Sequence, residues 1–258
     1  MSPFDLSGKV ALITGSSRGI GRSIAEGYAQ AGARVVISSR SQADCDVVAA
    51  ALNTDHGPGR AIAVAADIAD KAGLGRLVAE THTAFGQIDV LICNAATNPY
   101  YGPMAGISDE QFTKTLQNNV ISSHWLISMV APEMLERGQG AIILVSSIGG
   151  YIGSPVLGAY SISKAADLQM ARNLALEFGP RGVRVNAIAP GVIRTEFARA
   201  LWEAPELERS LQRSTALGRL GEADDIGGTA VYLGSDAARF VTGQSIIVDG
   251  GLTIRGIF

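Results

Sequence analysis

The sequence predicts an α/β fold: a doubly wound parallel sheet of about seven strands with helices on both faces. Apolar runs of strand length alternate with helical apolar patterns along the whole chain, and the first strand runs straight into a glycine-rich turn that opens a helix. Polar and glycine residues suited to binding also recur just past the strand ends. Such alternation implies parallel strands joined by right-handed crossovers, and ligands of such sheets bind beyond the C-terminal strand edges.

Strands are expected near 9–14, 34–39, 60–66, 89–93, 140–146, 183–189 and 245–249, with helices between them. Lys9-Val-Ala-Leu-Ile-Thr14 reads as a buried parallel strand. It continues into Gly15-Ser-Ser-Arg-Gly19-Ile-Gly21 and an apolar-periodic helix through about Ala31. Gly15 lets the chain reverse, Gly19 lets backbone approach a pyrophosphate, Gly21 lets the helix pack closely on the sheet, and the helix N-terminus faces the anion. The spacing is a variant of the general dinucleotide fingerprint. Gly15, Arg40, Asp67, Asn94, Ser147 and Pro190 all fall just past strand ends, so six pieces of chain are expected to meet at one crevice. The longest irregular stretch, 190–215, carries Phe197, Leu201, Trp202 and Pro205 and is expected to cover that crevice as a substrate loop.

Tyr160-Ser-Ile-Ser-Lys164 places a phenol and an ammonium on one face of a helix. A phenol titrates near ~10, and a neighbouring cation favours the phenolate, so such a tyrosine passes protons either way. At the end of the second strand stands Ser38-Ser39-Arg40, with no acid to accept from a ribose 2′-hydroxyl. Arg40 and Arg18 supply two guanidiniums suited to a phosphate dianion, unless both are simply solvated surface arginines.

With 258 residues, 47% hydrophobic and 17% charged, the chain is long enough to bury a large core as one domain, 1–258. The net charge of −3 and the lack of a basic run argue against nucleic acid, and no apolar run reaches the ~20 residues of a membrane span. The N-terminal residues lack the charged and apolar regions of a signal peptide. Cys45 and Cys93 cannot build a disulfide framework, and His56, His82 and His124 show no metal-ligand spacing, so a reduced compartment and no metal are expected.

Taken together, Thr14-Gly15 with Gly19 and Gly21, Asp67, Asn94-Ala95, Asn119, Ser147, Tyr160 with Lys164, and Pro190-Gly191 with Thr195 resemble the short-chain dehydrogenase/reductases, from about Gly8 to Gly251. One departure is Cys93-Asn94-Ala95-Ala96, where that family more often has Asn-Asn-Ala-Gly. Ser38-Ser39-Arg40, the run 94–102, the run 189–197 and Leu201-Trp202 look especially like its NADPH-dependent carbonyl and retinal reductases.

The resemblance implies a Rossmann-like oxidoreductase moving a hydride between a nicotinamide cofactor and a carbonyl or alcohol. NADP(H) is favoured over NAD(H). Its cofactor-binding residues would be Gly15, Ser17, Arg18, Gly19, Ile20, Gly21, Ser39, Arg40, Asp67, Ile68, Asn94, Ala95, Tyr160, Lys164, Pro190, Gly191, Ile193 and Thr195. Tyr160 would be the general acid, with Ser147 rather than Ser146 hydrogen-bonding the same oxygen. Lys164 would hold the nicotinamide ribose and lower the phenol pKa; Asn119 would position a water relaying protons to Lys164, or else be a helix-packing asparagine, with Asn118 the alternative in register. Tyr100, Tyr101, Tyr151 and Trp202 line an apolar pocket or pack in the core.

An NAD-linked alcohol dehydrogenase or 3-oxoacyl reductase is the enzymatic alternative, and a dinucleotide-sensing regulator the other. Animal carbonyl reductases of this group end in a peroxisomal tripeptide, whereas this sequence ends Gly256-Ile257-Phe258, so a cytoplasmic location is expected. A homotetramer is expected too. The run 160–178 holds more apolar residues than one core-facing stripe needs, and 252–258 adds Ile254, Ile257 and Phe258; the interfaces would use this helix and the one beginning near Ser108.

Overall fold

The computed structural model describes residues 2–254 and places seven parallel strands in one sheet in the order β3-β2-β1-β4-β5-β6-β7. These are β1 (Val10–Thr14), β2 (Arg34–Ser38), β3 (Ala61–Ala63), β4 (Val90–Cys93), β5 (Gly140–Val145), β6 (Val183–Pro190) and β7 (Ser245–Val248). The expected strands all form. The outer strand β3 is shorter than the expected 60–66: its strand partner, β2, ends at Ser38, and past Ala63 only the bonds from Val64 N–H to the Ile37 carbonyl and from Ala66 N–H to the Ser39 carbonyl continue the pairing among the described residues. Gln42 donates to the Ala63 carbonyl at 3.1 Å and accepts from Ala65 N–H at 2.9 Å.

Helices α1 (Gly19–Gln30), α2 (Gln42–His56) and α9 (Asp224–Gly234) cover one face of the sheet, and α3 (Lys71–Phe85), α5 (Ser122–Arg137) and α6 (Gly158–Phe178) cover the other. Two apolar layers result. β1 feeds both, since Ala11 and Ile13 enter the first while Leu12 enters the second, as strand alternation requires. The order reverses between β1 and β4, so the loops after these strands diverge and leave a crevice at their C-terminal ends.

Two expectations are corrected. The helix expected to begin near Ser108 is not one regular helix: α4 (Asp109–Leu116) and α5 are joined by a π-turn over Gln117–Ile121, which holds Asn118 and Asn119. The stretch 190–215 is not irregular either. It folds into a 3₁₀ turn at Glu196–Ala198, α7 (Arg199–Trp202) and α8 (Pro205–Ser214). Thr195 opens it by accepting from Ala198 N–H at 3.4 Å.

On α6 the exposed face is mixed rather than apolar throughout. Ile162 and Leu176 are exposed there, but so are Gln169, Arg172 and Asn173, which hydrogen-bond one another. Ile254 is exposed at the other expected interface, while Ile257 and Phe258 lie outside the described residues.

Candidate active site

The glycine turn takes its shape from contacts a side chain would destroy. Gly15 has φ +66°, and a Cβ there would lie 3.0 Å from Ala95 Cα; Gly19 has φ +56°, and a Cβ there would come within 3.2 Å of the Thr195 methyl. Gly21 serves a purpose other than sheet packing: a Cβ would strike the Gly15 carbonyl and the Asn94 amide. That amide braces the turn, donating to the carbonyls of Thr14 at 2.9 Å and Gly15 at 3.1 Å. Ser16 ties the turn to β2 by donating to the Ile13 carbonyl and accepting from Ser38 N–H.

Arg18 is the N-cap of α1 and makes no side-chain cap, so the first helical N–H groups are free of a side-chain acceptor. Arg18 and Arg40 are both exposed, and neither guanidinium has a hydrogen-bond or ion-pair partner among the described residues. Ser17 and Ser39 are half-buried beside them. An open cradle of amides flanked by two unpaired cations fits a dinucleotide carrying phosphates. Asp67 is exposed and accepts from Ala69 N–H at 3.0 Å, while Ile20 and Ile68 pack against the two core layers. Ala95 N–H donates to the Thr14 hydroxyl at 3.1 Å. Beyond Pro190, Gly191 N–H donates to the Val248 carbonyl, and Ile193 bridges to Gly221, which sets Thr195 against Gly19.

At the other end of the crevice, Ser147 caps a 3₁₀ turn over Ile148–Gly150, and its hydroxyl lies near enough to the Tyr160 phenol to favour the phenolate. Ser146 points the other way, donating to the Lys164 carbonyl at 2.7 Å, as strand alternation predicted. Lys164 Nζ stands 5.7 Å from the Tyr160 ring centroid, and the Phe197 ring packs against Tyr160 at 5.8 Å. The ammonium donates to the Val145 carbonyl at 2.8 Å and to Asp167 Oδ2 at 3.0 Å.

The expected lowering of the Tyr160 pKa is not found in the protein alone. Burial raises it, and this outweighs the Lys164 ammonium and the Ser147 hydroxyl, which pull it down. Burial likewise pushes the Cys93 thiol up to about 12, so it is a small buried side chain rather than a thiolate.

Asn119 accepts from Thr97 N–H at 2.8 Å and donates to the Thr97 carbonyl at 2.9 Å and to Ser163 Oγ at 3.0 Å; Ser163 donates to the Tyr160 carbonyl. Its amide therefore ties the loop after β4 to α6. Asn118 adds a bond to Thr97 Oγ1 at 3.2 Å. Thr97, Ser163 and Asp167 were not singled out from the sequence. For Asp167 there was a signal, an acid inside the apolar run of α6 three residues beyond Lys164.

Tyr151, Ile152 and Met104 are exposed near these groups: Tyr151 and Ile152 follow the Ser147-capped turn, and Met104 packs on Gly158; Tyr101 is exposed on the loop after β4. Trp202 instead serves the loop, donating to the Thr195 carbonyl at 3.0 Å, and Tyr100 donates to the Pro103 carbonyl.

A family model described as enoyl-(acyl carrier protein) reductase matches residues 15–253. The human dehydrogenase/reductase SDR family member 4 is 41% identical over 251 residues, covering 97% of this chain and 89% of its own length. The chain is a short-chain dehydrogenase/reductase.

The Caenorhabditis elegans dehydrogenase/reductase SDR family member 4 is 37% identical and covers 96% of each chain. Among solved short-chain dehydrogenase/reductases, a gluconate 5-dehydrogenase from Burkholderia cenocepacia, in complex with NADP and tartrate, superposes with a TM-score of 0.93 at 32% identity over 98% of both chains. A 7α-hydroxysteroid dehydrogenase, complexed with NADH and 7-oxo glycochenodeoxycholic acid, gives 0.92 at 34% identity over 96% of both.

Proposed function

We propose that this oxidoreductase acts as one domain, 1–258, and transfers a hydride between NADP(H) and a ketone or aldehyde and its alcohol, with Tyr160 donating the proton in reduction. The observation that carries this reading is the Tyr160 phenol, with the Ser147 hydroxyl near it and the Lys164 ammonium behind it, at the strand edges beside the glycine turn. When bound, the nicotinamide supplies the hydride. The chain's own residues do the rest. Tyr160 protonates the carbonyl oxygen as it becomes an alkoxide, Ser147 hydrogen-bonds that oxygen, and the Lys164 charge favours both the phenolate left behind and the bound ribose. Asn119 keeps the loop after β4 and the Tyr160 turn of α6 in register.

NADP(H) over NAD(H) is supported by the unpartnered guanidiniums of Arg18 and Arg40 and by the absence of an acid at the end of β2. The solved gluconate 5-dehydrogenase binds NADP, whereas the hydroxysteroid dehydrogenase binds NADH. An uncharged, apolar substrate is supported by the Phe197 ring against Tyr160 and by the exposed Tyr151 and Ile152 after the Ser147-capped turn and Met104 against Gly158. Loop arginines that could bind a sugar acid are already engaged: Arg194 pairs with Glu208 and Glu222, and Arg199 with Glu196 and Glu203.

We further read the protein as a cytoplasmic homotetramer; no helix among the described residues is long and apolar enough to cross a membrane. The deciding experiment follows NADPH and NADH oxidation with a panel of aromatic ketones, 5-ketogluconate and acyl thioesters. Faster turnover of aromatic ketones with NADPH is expected. A clear preference for 5-ketogluconate or a thioester, or for NADH, would overturn the substrate or the cofactor assignment respectively.

A further inference from the structure

The Lys164 ammonium has a buried partner that the reaction as described does not use. Asp167 lies one helical turn beyond Lys164 on the inner face of α6; both side chains are 3% exposed, and Asp167 Oδ2 accepts from Lys164 Nζ at 3.0 Å. Its neighbours on that face, Leu168 and Ala171, are ordinary core residues. The other carboxylate oxygen, Oδ1, is buried with no hydrogen-bond partner among the described residues. Ion pairs buried in this way seldom add stability over an apolar pair of similar volume, and an unsatisfied oxygen makes the balance worse. Fold stability therefore does not explain the aspartate. Position does, because the ammonium that Asp167 holds stands 5.7 Å from the Tyr160 ring centroid.

We infer that Asp167 is a positioning residue for the reactive tyrosine: it anchors the Lys164 ammonium between β5 and α6 and keeps the Tyr160–Lys164 pair in its protonated, proton-donating form. This inference rests on the proposed role of Tyr160 as proton donor. A negative charge behind two groups that release protons makes both release harder. Burial opposes the Lys164 charge most strongly, but Asp167, Tyr160 and Cys93 together more than offset it. At Tyr160, burial is the main cause of the raised value and Asp167 acts in the same direction, against Lys164. The Asp167 carboxyl is itself raised by burial, against the pull of Lys164.

Few other charges compete. From β4 the Cys93 thiol faces Asp167. On β6, Arg184 is coupled instead to Tyr28 and Asp236. The charged residues of α4, Asp109, Glu110 and Lys114, are exposed, as is Arg181 after α6. The consequence for function is a bias. A phenol kept protonated to higher pH serves carbonyl reduction, and the reverse oxidation needs more alkaline conditions.

The test substitutes Asp167→Asn, which keeps the shape and removes the charge, in the full chain without added cofactor. Tyrosinate absorbance is titrated in each protein and in its Tyr160→Phe counterpart, and the difference isolates Tyr160. The inference expects the Asp167→Asn titration to move to lower pH, because losing a nearby negative charge favours the phenolate. The alkaline limb of ketone reduction should move with it, and Asp167→Glu should return both towards wild type. Should Asp167→Asn not fold, Asp167→Leu carries the same expectation. An unmoved Tyr160 titration in a folded variant, with only the melting temperature lowered, would mean a merely structural role and overturn the inference. If the titration moves as expected while wild type reduces no carbonyl compound with either nicotinamide cofactor, the inference stands and the functional reading fails.

Discussion

The two ends of the crevice are built by opposite means. At the proposed catalytic end Asn119, Lys164 and Asp167 are buried, and their side-chain polar atoms, Asp167 Oδ1 apart, meet other side chains or backbone at 2.8–3.0 Å, so folding itself sets the geometry. At the dinucleotide end Arg18, Arg40 and Asp67 are exposed, and what is fixed is backbone: glycines at positive φ and an asparagine amide holding the turn. Preorganised donors act where charge develops during reaction, and solvated cations act where a charged ligand arrives. The contrast implies that changes at one end should alter chemistry and leave binding, while changes at the other should do the reverse.

The largest expected effect lies at the catalytic end. Tyr160→Phe removes the transferable proton and keeps the ring that packs on Phe197, so kcat should fall by ~10²–10⁴-fold with NADPH affinity near wild type. Steady-state kinetics with a ketone substrate and a fluorescence titration of NADPH measure the two quantities. Turnover at the wild-type rate would break the comparison at its strongest point.

How much of this was legible in the sequence follows the same division. The sheet was legible, since seven apolar runs separated by helical periodicity admit few other arrangements, and β3 ends early where β2, its strand partner, ends. Gly15 and Gly19 were legible because only glycine fits their φ. Asn94 was assigned to the cofactor, but its amide also braces the glycine turn 79 residues away in sequence, a pairing no local pattern encodes. Asn119 sits in a π-turn that helical periodicity does not reveal, and its bonds to Thr97 and Ser163 depend on how the loop after β4 crosses α6. The net direction of the Tyr160 shift was misjudged because the spacing shows the nearby cation but not the burial that opposes it.

The dinucleotide end gives the next effect in size. Exchanging Arg18 and Arg40 together for Ala should weaken NADPH at least tenfold, since hydrogen bonds to charged groups contribute ~1.5–3 kcal/mol each. NADH affinity, kcat at saturating cofactor and thermal stability should change little, because neither guanidinium has a partner among the described residues. Fluorescence titrations with both cofactors decide it. Equal losses for NADPH and NADH would show that the arginines shape the turn rather than read the phosphate.

The smallest effect is expected just outside the crevice, where the substrate loop returns to the sheet. Arg219 grips Asp225 through two bonds, 2.6 and 2.8 Å, and Asp225 also accepts from Glu222 N–H at 2.8 Å. These contacts, led by the Arg219 hydrogen bond, lower the Asp225 carboxyl from 3.8 to about 2. The folded-state value is depressed, so the stabilisation is fully present above the unfolded value and is lost as pH falls through the folded one. Arg219 is half-exposed, however, and solvent screening limits such pairs to ~0–1 kcal/mol. Asp225→Asn should therefore cost under ~1 kcal/mol at neutral pH in urea denaturation. The difference from wild type should close as pH falls from about 4 to about 2, with kcat and NADPH affinity unchanged throughout the range where both proteins fold. A much larger loss at neutral pH, or one that persists at the acid end, would mean that this surface pair sets the position of the loop and that the exposed side of the molecule is as tightly determined as the buried one.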